Sequence, residues 1–131
     1  MKIIRNIIKT PDGTILESTN RHDYTSYVDS NGETYINDGG KDYLRRSRNI
    51  EPFEDLSVYS TDDIERIRTY FQWGTYGKNG DQELKVKVLS ELSNAHIEAI
   101  IETQKHLDDE IIDIFKREQQ YRDEKDIFIE D

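Results

Sequence analysis

Hydrophobic and polar positions along this chain change period twice. Ile3, Ile4, Ile7 and Ile8 are β-branched, Pro11-Asp12-Gly13 is a turn signal, and Ile15-Leu16 resumes an extended run. After Arg21-His22-Asp23, Tyr24, Tyr27 and Val28 lead into Asp29-Ser30-Asn31-Gly32. Asn-Gly predicts a tight hairpin with positive φ, and Thr34-Tyr35-Ile36 is the returning strand, closed by Asp38-Gly39-Gly40. Residues 49–60 read as an extended connection anchored by Phe53, Leu56, Val58 and Tyr59.

Ser60-Thr61-Asp62-Asp63 then predicts a helix start, with a hydroxyl cap and carboxylates facing the positive end of the dipole. The short helix buries Ile64, Ile67 and either Tyr70 or Phe71. Gln72-Trp73-Gly74-Thr75-Tyr76 enters a second hairpin tipped by Gly77-Lys78-Asn79-Gly80, with Leu84, Val86 and Val88 alternating with Lys85 and Lys87 on its return. Ser93 is a candidate cap. From there Ile97, Ile100, Gln104, Leu107, Ile111, Ile114, Glu118, Tyr121, Lys125 and Phe128 recur at spacings of three and four. That stripe suits packing on another helix; Asp108-Asp109 serves equally as a fresh helix start or as exposed positions in one continuous helix.

These elements give an α+β fold: an N-terminal antiparallel β-sheet with a short helix and hairpin, followed by C-terminal α-helices. One domain spans 1–131, with a β-rich part at 1–48, the short helix at 61–71, the hairpin at 72–89 and a helical, oligomerising part at 93–128. All glycines and both prolines precede residue 81, so nothing breaks the C-terminal helical pattern.

Charge narrows the partners. The 131 residues carry a formal net charge of -10, which disfavours a nucleic-acid polymer as ligand, because such binding draws on many Lys and Arg displacing counterions. Most of that acidity lies beyond residue 80, while the first 50 residues hold Arg21, Arg45, Arg46 and Arg48 among a near balance of charges. There is no cysteine, so disulfides, thiolate zinc sites and cysteine nucleophiles are excluded together. No apolar run approaches the roughly 20 residues of a membrane span, and the start is too short and broken for a signal peptide, so the expectation is a soluble, cytoplasmic protein.

Catalytic patterns are sparse. His22, His96 and His106 lack the i, i+4 spacing of a helical zinc site, so neither a metal nor another cofactor is expected. Gly74-Thr75-Tyr76-Gly77-Lys78 is too short for a phosphate-binding loop, and Asn79 stands where the magnesium-holding hydroxyl belongs. The chain reads as a non-enzyme. Two features could instead form a ligand site. Arg45 and Arg46 with Arg48, Tyr43 and upstream Arg21-His22 offer forked donors to a diphosphate, or else pair with the chain's own carboxylates. Phe71, Thr75, Asn79 and Asp81 surround the second hairpin, where an aromatic face could hold a purine; Phe71 is read as the ligand aromatic and Trp73 as core.

At Arg21-His22-Asp23-Tyr24, Asp38-Gly39-Gly40, Tyr43-Leu44-Arg45-Arg46 and Trp73-Gly74-Thr75-Tyr76-Gly77-Lys78-Asn79-Gly80, the sequence resembles the phage Thoeris anti-defence family of signal-sequestering proteins, from Met1 to about Tyr121. The first three motifs also resemble small proteins carrying a Cys-x-x-Cys-Gly zinc module; Thr10-Pro11-Asp12-Gly13 replaces those cysteines, which leaves turn chemistry to hold that sheet. The resemblance implies a sponge in the host bacterial cytoplasm. It would bind cyclic ADP-ribose isomers without cleavage and keep the Thoeris effector silent. It also implies a second site for cyclic di- or trinucleotides of the CBASS defence, and assembly as a homodimer or hexamer. Carried onto this chain, it makes Phe71 the adenine-stacking residue, Asn79 and Asp81 polar contacts, and Arg21 and His22 the second site. Two other readings compete: an acidic protein-interaction module that inhibits a host protein, and a small hydrolase or lyase acting on the same signals.

Overall fold

A computed structural model describes residues 1–77 and 79–131, and Lys78 of the expected hairpin tip lies outside the described residues. The fold is α+β, with antiparallel strands throughout the N-terminal half and helices concentrated in the C-terminal half. The chain divides into two compact units, Met1–Thr61 and Asp62–Asp131.

The first unit is built on β1 (Ile3–Lys9), which pairs with β2 (Ile15–Ser18) on one side and with β6 (Glu54–Asp55) and β7 (Val58–Tyr59) as well. A second sheet orders β3 (Thr25–Val28), β4 (Thr34–Asp38) and β5 (Arg45–Arg46). Its apolar core is small: Ile4, Ile7, Ile8, Tyr35 and Val58. Buried polar residues do the rest. Asn6 on β1 donates to the Asp38 carbonyl at 3.2 Å, and Asn37 on β4 donates to the Asn6 and Leu16 carbonyls at 3.1 and 3.0 Å, so amides stitch the two sheets where little hydrocarbon is available.

Turn chemistry holds the β1–β2 loop. Thr10 donates to the Asp12 carboxylate, which also accepts from the Thr14 amide at 3.1 Å and from the Tyr27 hydroxyl of β3 at 2.5 Å. The Thr10 hydroxyl foremost, then Tyr27 and Thr14, hold the Asp12 carboxyl well below the usual carboxylate range. The next hairpin differs from expectation. Only Gly32, at φ 79°, takes the left-handed conformation; Asn31 does not, because the Asp29 carboxylate accepts from the Asn31 and Glu33 amides and closes a longer loop.

In the second unit, α1 (Ile64–Tyr70) starts at Asp63, which occupies the N-cap with no side-chain capping bond, so the expected hydroxyl cap is not formed. Ile67 and Phe71 enter the core, Ile64 is half-buried and Tyr70 is exposed. The strands β8 (Gln72–Thr75) and β9 (Lys85–Val88) form the second hairpin, and a 3₁₀ turn at Leu89–Glu91 leads to α2 (Asn94–Thr103) and α3 (Asp109–Lys125). The helical stripe is therefore two helices. Ser93 caps α2, accepting from the His96 amide at 3.0 Å, and Asp108 caps α3, accepting from Glu110 at 2.9 Å. Ile97, Ile100, Ile114 and Glu118 of the stripe are buried within this unit, whereas Phe128 at its end is 71% exposed. No helix among the described residues is long and apolar enough to cross a membrane.

Candidate functional site

The second unit carries an open groove of about 930 Å³, within the roughly 300–1,000 Å³ typical of small-molecule sites. Two elements build its walls. On the hairpin, Trp73 pairs with Lys87 and Thr75 with Lys85, and residues directly opposite in an antiparallel ladder project to the same face. That face borders the groove, while Leu84 and Val86 on the alternate register remain 54% and 56% exposed. The second wall is α2. Its Ala95, Ala99 and Thr103 recur every four residues, and these small side chains, with bare Gly80 at the hairpin tip, leave the volume unfilled.

The tip is set by backbone. Gly77 and Gly80 have φ of 88° and 72°, the Gly80 amide donates to the Gly77 carbonyl at 3.1 Å, and the Gln82 amide donates to Tyr76 at 2.8 Å. The Gly77 amide donates to the Thr75 hydroxyl at 3.2 Å. Trp73 is half-buried, with its ring edge-on to Phe115 at 5.2 Å and 90°.

Electrostatics reverse locally. Among the described residues, the charged side chains lining the groove are Lys85, Lys87 and Asp131, with His96 between the hairpin and the last residues, so a chain of net charge -10 carries a small excess of positive side chains there. Asp131 is partly engaged, accepting from the Ser93 hydroxyl. Burial first, and then the Lys87 ammonium, push the His96 imidazole below its ordinary value, against the opposing pull of Asp131. His96 is accordingly neutral at pH 7 and offers a ring nitrogen as donor or acceptor.

The residues expected from the sequence fall in different places. Thr75 lines the groove. Asn79 and Asp81 are exposed near the hairpin tip and do not line it. Phe71 is only 6% exposed and meets Phe115 edge-on at 5.6 Å, so its ring packs in the core rather than offering an open face. Trp73, expected in the core, is half-buried and lines the groove, together with the exposed Tyr76.

In the first unit, Arg46 has its donors committed internally. Its guanidinium donates to Asn37 at 2.9 Å, Asn6 at 2.7 Å and Ser57 at 2.9 Å, with Asp55 at 3.5 Å, and lies 5.8 Å from the Phe53 ring centroid. Arg45, by contrast, has a side chain 71% exposed and approaches Asp38 at 3.8 Å. Arg21 and His22 are exposed in the turn between β2 and β3. That turn is braced by Gly40, whose missing Cβ would lie 2.3 Å from the Asn20 carbonyl.

Sequence reasoning missed Lys85, Lys87 and His96 as a set. Pairing the hairpin outward from Gly77–Gly80 would set Trp73 opposite Leu84 and turn both lysines to the other face; the observed register, with Trp73 opposite Lys87, and the contribution of α2 required the folded chain. Compared with protein-family models, curated proteins and solved structures, the chain matches none.

Proposed function

We propose that the protein is a phage anti-defence sponge, binding cyclic ADP-ribose isomers and holding them uncleaved so that the Thoeris effector is not activated. The observation that carries this reading is the groove of about 930 Å³, where Trp73 offers an aromatic surface beside Lys85 and Lys87 in an otherwise acidic chain. A sponge needs a concave site that meets a base and its phosphates together, and these side chains supply both kinds of contact. The motif resemblance points the same way. In this reading the protein acts in the host bacterial cytoplasm as a homodimer or hexamer, with no cofactor, and exposed Arg21 and His22 serve a second site for cyclic di- or trinucleotides.

Incubating purified protein with each cyclic ADP-ribose isomer tests this. The isomer should disappear from the filtrate and return chemically intact after heat denaturation. Recovery of cleaved product alone would replace the sponge with a hydrolase or lyase.

A second reading, an acidic module that inhibits a basic host protein, is favoured by exposed Asp109 and Asp113 on α3. It requires that Asp109→Lys/Asp113→Lys abolish anti-defence activity while isomer depletion persists. Phe71→Ala does not discriminate the two readings, because it removes a core ring.

A further inference from the structure

The two groove lysines stand two residues apart on an extended strand, which places their Cα atoms about 6.6–6.8 Å apart on one face. Both side chains border the same cavity, and each ends in a compact ammonium on a flexible four-carbon stem. Two such groups can close on neighbouring phosphates of one ligand. A single phosphate gives them one anion to share. Trp73 is the cross-strand partner of Lys87, so the aromatic surface begins one strand spacing, roughly 4.8 Å, from the lysine row. Groups able to take a base and groups able to take phosphates are thus adjacent, at the short distance that separates these parts in a nucleotide.

Magnesium commonly bridges phosphates to a protein through one or two carboxylates. Here the groove's carboxylate is Asp131, and it accepts from the Ser93 hydroxyl, whereas two ammonium groups already supply the neutralising charge. We infer that Lys85 and Lys87 form a metal-independent diphosphate clamp, with Trp73 as the stacking surface, so that the groove selects nucleotides carrying two linked phosphates over those carrying one. This assignment rests on the nucleotide-binding reading of the groove and adds to it the residues that hold the phosphates and the class of ligand they prefer.

Trp73 is the chain's single tryptophan, so its intrinsic fluorescence reports on the groove in the intact protein. The probes are ADP, linear ADP-ribose and AMP, titrated in the presence of EDTA. ADP and ADP-ribose should quench Trp73 saturably, and AMP should bind about tenfold more weakly, the value of one charge-assisted contact. Lys85→Gln/Lys87→Gln should weaken ADP about 100-fold, Lys85→Arg/Lys87→Arg should retain most binding, and Lys116→Gln, on exposed α3 surface, should change nothing. Equal affinity for ADP and AMP, dependence on magnesium, unchanged affinity in the double glutamine variant, or no quenching by ADP at all would each overturn the clamp.

Depletion of cyclic ADP-ribose isomers separates this failure from failure of the sponge. Full depletion by the double glutamine variant sinks the clamp and leaves the sponge standing. Lysine-dependent ADP binding in a protein that captures no cyclic isomer does the reverse.

Discussion

Glu118 and Arg122, one turn apart on α3, form an ion pair at 2.7 Å in which the two side chains are 0% and 1% exposed. Arg68 completes the arrangement from α1, donating to both Glu118 oxygens at 2.9 and 3.1 Å while lying 4.6 Å from the Tyr121 ring centroid. The hydrogen bonds to Glu118, ahead of all other causes, raise the Arg68 guanidinium above its ordinary value. Arg122 further donates to Asn94 at 2.8 Å and to the Leu89 carbonyl at 3.1 Å. One carboxylate thereby ties α1, α3, the 3₁₀ turn and the start of α2 into one core.

Removing that carboxylate strands two cations. Glu118→Ala is expected to destabilise the second unit by about 3–5 kcal/mol, since breaking a buried pair from one side leaves an uncompensated charge. Urea unfolding followed by Trp73 fluorescence measures this, and a loss below about 1 kcal/mol would show that water reaches the site and solvates the arginines.

Arg46→Lys should fail as a conservative change in the first unit. A lysine cannot reproduce the planar fork that serves Asn37, Asn6 and Ser57 at once, so a cost of about 2–4 kcal/mol is expected. Amide hydrogen exchange on β1 and β4 reads it out; unchanged protection would mean that the lysine satisfies the amides through water.

Two glycines separate conformational cost from steric cost. Gly32 has φ 79° and open space, with no atom within 4 Å of where a Cβ would stand, so Gly32→Ala should cost about 1–2 kcal/mol. Gly39 has φ 107°, and its Cβ would lie 2.0 Å from the Tyr43 carbonyl oxygen. Gly39→Ala must displace backbone, and a loss of about 3 kcal/mol or more is expected in thermal unfolding by circular dichroism.

His96 sets a pH dependence with a defined sign. Its folded value lies below the ordinary 6.5, so the unfolded chain takes up the proton more readily. The stability this contributes is complete above pH 6.5 and is lost as pH falls through the lower folded value. Lys87 from β9 reinforces the effect and Asp131 opposes it. Unfolding free energies measured from pH 7.5 down to 5 should fall more steeply for the native chain than for His96→Gln; parallel curves would show that another group sets the slope.

Local signals made much of the fold legible. β-Branched runs, turn residues and the three-and-four spacing located the strands and helices, since those depend on neighbours within a few positions. Ser93 as a cap was readable because its partner amide is three residues away. The sequence left one question even there: Asp108-Asp109 fits a continuous helix as well as a new one, and the observed break comes with Asp108 capping Glu110.

The candidate site was only partly legible. Phe71 and Trp73 stand two residues apart, so alternation places them on the same side of an extended run, yet Phe71 ends α1 and enters the core while Trp73 begins the hairpin at the groove. The destination of each arginine was equally hidden, because Arg46 satisfies residues 9 to 40 positions away. What the sequence determined by itself was element type, turn positions and the acidic balance, all set by nearest neighbours or by composition. What tertiary structure alone decided was which charges are buried in pairs and which face the groove, because that depends on strand register and helix packing between residues far apart in the chain.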